Sequence, residues 1–250
     1  MKSSGIRKTK LFFCFLCAVA FSAGMVHQYR KWIGRSSYFK IRGIEVFGND
    51  LLRKEDLLKL GELKTDMSIW QVDLKATEDK LRSNLFLEKV TVTRRMPDGL
   101  CIMVEEKTPL ALLNFEGVFY CLDREGLVLP SKPGRLYDLP VLSGKFEGGI
   151  SIGSRADSPW VDRGLNFLKM MLEDRPEMLP RISEVVLGKE EGIQLTTHRG
   201  GIPIWIGEGR IGPKIRCLEA ILDELEQGNI SQVEYIDLRF NGQIVVGMRT

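Results

Sequence analysis

Three groups of residues have types and spacings suited to chemistry. Gly207-Glu208-Gly209-Arg210-Ile211-Gly212 has the glycine spacing of a dinucleotide-binding turn, where backbone approaches a pyrophosphate at a helix N-terminus. A strand pattern precedes it, a helix pattern follows, and Glu226 and Asp237 lie downstream at loosely suitable distances for a ribose. Against that reading, the preceding strands look like short hairpin pieces rather than βαβ units, and Pro203 interrupts the strand expected at the sheet centre. Pro213 as a helix start accounts for the glycines more simply. Cys14 and Cys17 form a CxxC inside an apolar run with no second pair, which reads as two small apolar residues. Cys101, Cys121 and Cys217 are scattered and odd in number, unlike a disulfide framework; a Cys101–Cys121 bridge stays open at this level. His27 and His198 are the only histidines, and no G-x-S-x-G or cysteine nucleophile motif accompanies them. No catalytic residue, cofactor site or metal site is expected, and no small-molecule substrate.

The elements around these residues suggest a different occupation. Hydrophobic residues make up 44% and charged residues 28% of 250, as in an ordinary folded chain with room for one to three domains. A net charge of +3 gives no concentrated basic face, so nucleic acid is not an expected partner. Much of the basic excess is N-terminal. Lys2, Arg7, Lys8 and Lys10 precede an uncharged run from Leu11 to Val26. As a helix that run is about 24 Å long, against a hydrocarbon core of about 30 Å. Snorkelling Lys10 and Arg30, with Tyr29 and Trp32 at the interface, make up the difference. A cleaved signal peptide is the rival reading, since Ala18-Val19-Ala20 is an A-x-A site. The apolar run continues past that site to Val26, which favours a retained anchor. The expected layout is a cytoplasmic tail over 1–10, a transmembrane helix over 11–27 and a connector over 28–38. The remainder is then extracytoplasmic.

Residues 39–108 read as strand, helix, helix, strand, strand. The first strand, Phe39 to Phe47, slips phase at Gly43, as a bulge would cause. A helix is expected from about Arg53 to Leu60, with Asn49 or Asp50 near its start and Gly61 at its end. A second is expected after Asp73, with Leu74, Leu81 and Leu85 on one face and Glu78 as a polar exception. Ile69, Trp70 and Val72 are placed beneath the sheet. Val90 and Val92 alternate with threonines, and Leu100, Ile102 and Val104 alternate with Cys101, Met103 and Glu105. Both fit a half-covered antiparallel sheet turned by Pro97-Asp98-Gly99, where glycine accepts positive φ. Arg94-Arg95 reads as a plain strand end.

Ile44-Glu45-Val46-Phe47-Gly48-Asn49, then two helices, then Val-x-Val-x-Arg-x-x-Pro-x-x-Leu-x-Ile-x-Val-x-Glu-x-x-Pro-x-Ala from Val90 to Ala111, resembles a POTRA domain. More narrowly, it resembles that of the FtsQ/DivIB cell-division family. The rest of the chain, 109–250, reads as a β-rich domain with two helices on an antiparallel sheet. One helix is capped by Ser158-Pro159; the other runs from about Pro213 to Glu226. A final hairpin, Val233 to Phe240 and Gln243 to Gly247, turns at Asn241-Gly242. Asp237 and Arg239 share a strand face and read as a solvated ion pair of at most about 1 kcal/mol. The overall expectation is an α+β chain.

In the resembled family such a β domain follows the POTRA domain, and its last strands dock the partner division proteins FtsB and FtsL. Tyr235 to Gly247 resembles that ending, departing at Phe240, where tyrosine is usual, and at Met248, where some members have tryptophan. The resemblance implies a single-pass protein of the cell (inner) membrane, acting at the division septum as a non-enzymatic scaffold. Partner strands would add to a sheet edge, with Arg239, Phe240, Gly242, Ile244, Val246 and Met248 as candidate partner-binding residues. The alternative is a POTRA component of protein export or outer-membrane assembly. That predicts tandem POTRA copies or a C-terminal barrel; one copy is present, with no series of barrel strands.

Overall fold

A computed structural model describes residues 19–22, 24–25, 28, 37–65, 67–132, 134–144, 146, 148–188, 192–207, 209–228, 230–240 and 243–249. The expected basic tail, most of the expected span and connector, His27, Cys14 and Cys17 lie outside the described residues. Among the described residues no helix is long and apolar enough to cross a membrane. The chain divides into two units, one ending at Glu106 and one beginning at Lys107.

The first unit contains β1 (Gly43–Phe47), α1 (Lys54–Leu60), α2 (Leu74–Arg82), β2 (Leu87–Arg95) and β3 (Gly99–Glu106). The alternation in β2 and β3 buries Val90, Val92, Leu100, Ile102 and Val104 against Leu57, Ile69 and Leu81. The sheet is not wholly antiparallel as expected. Its order is β1-β3-β2: β3 pairs antiparallel with β2 and parallel with β1, Val46 opposite Ile102. Two helices carry the chain across between β1 and β2, and β3 then returns into the gap. Gly43 opens β1, and the residues before it (Ser37–Phe39) form a 3-10 turn. Gly99 is likewise no left-handed turn residue; it opens β3 opposite Gly43.

Caps fix the helices. Asp73 Oδ1 accepts from Ala76 N–H at 3.1 Å, as a side-chain N-cap should. α1 starts differently from expectation. Its N-cap, Arg53, makes no side-chain cap bond, and Gly61 at its end is right-handed, with Glu62 taking the left-handed position at φ 53°. The turn before α1 is held from afar. The Glu106 carboxylate accepts from the N–H groups of Asp50, Leu51 and Leu52 at 2.8–3.1 Å. Three convergent N–H groups make a fixed anion cradle. Glu106→Ala is expected to cost about 2 kcal/mol, since bonds to a charged acceptor are lost together. A lowered urea midpoint for the first unit would register it, and an unchanged midpoint would refute it.

Three further expectations are corrected. Leu85 lies beyond the end of α2 and is exposed. Trp70 is also exposed, although its neighbours Ile69 and Val72 are buried. Arg94 is more than a strand end: Nε donates to Ile69 O and Nη2 to Val72 O, both at 2.7 Å, and its guanidinium lies over the Trp70 ring.

Among the described residues the second unit has a nine-stranded sheet and two α-helices. In chain order it has β4 (Ala111–Phe115), β5 (Val118–Leu122), β6 (Val128–Leu129), β7 (Val141–Gly144), α3 (Pro159–Asp174), β8 (Ile182–Gly188), β9 (Gly192–Thr197), β10 (Pro203–Gly207), α4 (Ile211–Gln227), β11 (Val233–Asp237) and β12 (Val245–Met248). Sheet order is β12-β11-β10-β9-β8-β7-β4-β5-β6. The expected antiparallel sheet is mixed instead. β4 and β7, β7 and β8, and β10 and β11 are parallel pairs. α3 returns the chain between β7 and β8, and α4 between β10 and β11; a crossover of that length permits parallel neighbours. The stripes Leu165, Leu168, Leu218 and Leu222 are buried in one core with Val185, Leu195, Ile204 and Ile236. The last four form one cross-strand row, so this face of the sheet is the covered one. Asp123, buried in the β5–β6 turn, accepts from Lys107 Nζ at 2.8 Å and from the N–H groups of Glu125 and Leu127. Cys101 and Cys121 are free thiols in different units. Burial pushes the Cys121 thiol up from its ordinary pKa.

Candidate functional site

A sheet exposes backbone donors and acceptors wherever a strand has no neighbour, so the ends of the two sheets are where pairing chemistry is available. Two ends are partly covered by the chain itself. On β2, Glu78 Oε1 accepts from Val92 N–H at 2.8 Å, which explains the acidic residue on the apolar face of α2. On β6, Val128 N–H donates to Ser154 O at 2.9 Å and Val128 O accepts from Gly153 N–H at 2.8 Å. β1 is short, and its Glu45 pairs with Arg95.

β12 ends the nine-stranded sheet, with no described strand on its outer side. It pairs antiparallel with β11, Val246 opposite Ile236 and Gly247 opposite Tyr235. Arg249 N–H donates inward to Gln232 O at 2.7 Å. By the two-residue alternation of a strand, the N–H groups of Val246 and Met248 then point outward.

What holds this end together lies on the sheet face opposite the helices. Trp205 on β10 and Tyr235 on β11 have ring centroids 5.1 Å apart. A Cβ on Gly247 would stand 2.3 Å from the Tyr235 ring, so β12 crosses this pair only as glycine. Asp237 is only 5% exposed. Its carboxylate accepts from Arg239 Nε and N–H at 3.0 Å and from Nη2 at 2.7 Å. The Arg239 guanidinium lies over the Trp205 ring, 5.2 Å from its centroid. The solvated ion pair expected from sequence is therefore a half-buried clamp on an aromatic face.

The clamp explains why the last hairpin is not the tight one expected. After Asp237, Leu238 N–H donates to Trp205 O at 2.8 Å, and the chain leaves the ladder until Val245. Leu238, Phe240, Gln243 and Ile244 line a groove of about 540 Å³ with Arg210, Pro213, Lys214 and Cys217 at the start of α4. Of the candidate residues, Phe240 and Ile244 line this groove, Met248 is exposed on β12, and Val246 is half-buried against the core. Arg239 is held by Asp237. Gly242 and Asn241 lie outside the described residues.

The glycine-spaced turn sits at the same corner, and two of the grounds for setting it aside change. β10, α4 and β11 are a parallel strand–helix–strand unit after all. Pro213 is the third residue of α4, whose N-cap Arg210 makes no side-chain cap bond. The glycines have another cause. Gly207 has φ 66°, and a Cβ there would stand 2.8 Å from Arg239 Cγ. The Arg239 stem thus occupies the space over the first glycine, and Lys214 Nζ donates to Ile206 O at 2.7 Å. Among the described residues no group of three or more His, Cys, Asp or Glu is placed to hold a metal.

Comparison with known proteins gives this geometry its context. The model of the POTRA domain, FtsQ-type, matches residues 39–107, and that of the cell division protein FtsQ/DivIB C-terminal domain matches 111–239. The chain is 30% identical over 220 residues to cell division protein FtsQ of Geobacter sp. (strain M21), covering 88% of this chain and 80% of that one. The chain belongs to the FtsQ/DivIB family. It is also 29% identical to the FtsQ of Syntrophotalea carbinolica, over 90% of this chain and 81% of that protein. With cell division protein DivIB of Clostridium tetani the identity is 24%, over 84% and 79%. The FtsQ/DivIB match confirms the family resemblance read from the Val90–Ala111 pattern. It stops at Arg239, so β12 and its exposed side chains lie just past the matched segment.

Sequence reasoning missed Trp205, the packing of Tyr235, the cause of Gly207 and Gly247, and the α4 side of the groove. Each glycine carried a signal, standing at the end of an apolar strand or within one. Their reason is a side chain that arrives from elsewhere in the chain.

Proposed function

We propose that this FtsQ/DivIB chain is a non-enzymatic scaffold of the division machinery, anchored by its N-terminal apolar run with both folded units outside the cell (inner) membrane. Partner division proteins of the FtsB and FtsL kind add a strand to β12 and seat side chains in the groove beside Phe240 and Ile244. One observation carries this reading: β12 ends its sheet with the N–H groups of Val246 and Met248 turned outward, while the chain's own groups take up Val92 N–H on β2 and Val128 on β6. Backbone pairing of this kind gives affinity, and the neighbouring apolar groove gives selectivity. The exposed Phe240, Ile244 and Met248 suit that role.

The test is a single proline. Deleting 233–250 would also remove Val233 and Ile236 from the core, and so would confound docking with folding. Met248→Pro removes one outward donor at an edge, where proline is tolerated. Co-purification of the partner division proteins with the full-length chain is expected to fall roughly tenfold, about 1.4 kcal/mol. An unchanged yield from an unchanged melting curve would remove β12 as the docking edge.

A further inference from the structure

The first unit has a second surface that strand pairing does not use. Its two poles differ. The chain arrives at one, where Ser37–Phe39 leads toward β1 and the β2–β3 turn closes the sheet. It leaves from the other, at Glu106, the far end of β3. With eight residues in β3, the poles are about 24 Å apart. The arriving pole is therefore not where the link to the second unit begins.

That pole is aromatic and basic. Tyr38 packs edge-on against Phe39 at 5.2 Å, and Phe39 edge-on against Trp70 at 6.1 Å. Tyr38, Trp70 and Met96 are each about half or more exposed, at 62%, 46% and 57%. The half-exposed Trp70 ring is held in place by Arg94 and Phe39, which are themselves fixed. Arg94 lies over the ring and bonds to the carbonyls of Ile69 and Val72, and Ile69 N–H donates to Phe39 O at 2.9 Å. The Lys40–Ser68 bridge and the Arg42–Asp98 ion pair tie the same three segments together. Residues 37–42 and 94–99 carry Lys40, Arg42, Arg94 and Arg95 against Asp98; with Glu45, the partner of Arg95, and Asp73 counted too, the excess is one base.

We infer that this pole, built on Tyr38, Phe39, Trp70 and Met96, lies in the headgroup region of the bilayer that anchors the chain. The inference rests on the anchored reading above and deepens it. Chain length supplies the occupant. Ser37 follows the apolar run ending at Val26 by eleven residues, a tether of at most about 40 Å. The pole that meets this tether carries amphipathic rings with an apolar body and a polar tip, the type enriched at membrane interfaces. Its basic excess complements an anionic lipid surface. The folded unit then stands on the membrane, with the Glu106 end of β3 directed away from it.

Full-length chain in vesicles of phosphatidylethanolamine and phosphatidylglycerol tests this, with bromine placed high on the acyl chains as a quencher. The emission lost on Trp70→Phe defines the Trp70 component among the four tryptophans. That component is expected to lose most of its intensity in brominated vesicles. A double variant, Tyr38→Ser with Met96→Ser, is expected to restore it while leaving Trp70 in place. Chain that sediments with vesicles yet keeps an unquenched Trp70 component overturns the contact and leaves the anchor standing. Chain that does not sediment overturns both. A component shielded from brominated lipid and from aqueous iodide alike places another protein, such as a second copy, on this pole and also overturns the inference.

Discussion

Gly247→Ala is expected to release β12 from its sheet while the rest of the second unit stays folded. The added methyl would stand 2.3 Å from Tyr235 Cε1 and within 2.7 Å of two other ring atoms. The ring has little room to retreat, because Trp205 lies against its far side, 5.1 Å between centroids. Overpacking of this kind costs about 2 kcal/mol. β12 has four residues and pairs with β11 alone, so its local stability falls below that cost while the core is spared. Val246 then withdraws from the core, and the Arg249 N–H loses its bond to Gln232 O. Hydrogen exchange should show lost protection at Arg249 with core amides unaffected. Partner affinity should fall roughly 30-fold, the equivalent of about 2 kcal/mol. Full affinity with an exchanging Arg249 would mean that partners do not need β12 in place.

What can be read in advance follows from which forces are local. The buried face of β2 at Val90 and Val92 comes directly from alternation, because a half-buried strand writes its period into the sequence. The Asp73 and Ser158 caps come from side chains that act within three residues. Strand neighbours do not. Alternation assigns faces and is silent on partners. The period of β1 says that Ile44 faces inward, but nothing in Gly43–Phe47 says that β3 will lie parallel beside it. The parallel pairing of β10 with β11 is equally hidden, since it depends on where α4 returns the chain. Leu85 misleads because its spacing fits a helix that has already ended at Arg82. At the candidate site, Phe240 and Ile244 are legible as apolar residues near a strand end. The opposite wall of their groove comes from Arg210 to Cys217, farther back in the chain across the whole of α4. The glycines Gly207 and Gly247 make room for Arg239 and Tyr235, and no local pattern encodes a neighbour's side chain.

Asp237→Ala should strongly destabilise the second unit. The carboxylate is nearly inaccessible and satisfies Arg239 through both its side chain and its backbone N–H. Losing one partner of a buried pair costs about 3–5 kcal/mol; here Arg239 is nearly half exposed and can recover water, so about 2–3 kcal/mol is expected. The loss reaches beyond the pair. Arg239 covers Trp205 and fills the space over Gly207, so releasing it loosens the segment that carries Phe240 and Ile244 to the groove. Asp237→Asn separates charge from shape, since the amide still accepts from the backbone N–H. Its consequence is read in pH. The Arg239 side-chain bonds hold the Asp237 carboxyl below the usual carboxylate range; burial opposes them, and the Arg239 backbone N–H and Lys214 assist. A carboxyl depressed in the folded state stabilises the fold above its unfolded value of about 3.9, and that stabilisation is lost as pH falls through the lower folded value. Thermal melts of the natural chain should therefore decline more steeply below about pH 4 than those of Asp237→Asn, with the two curves converging in acid. Parallel curves at a constant offset across that window would show that the clamp acts through packing on Trp205 rather than through charge.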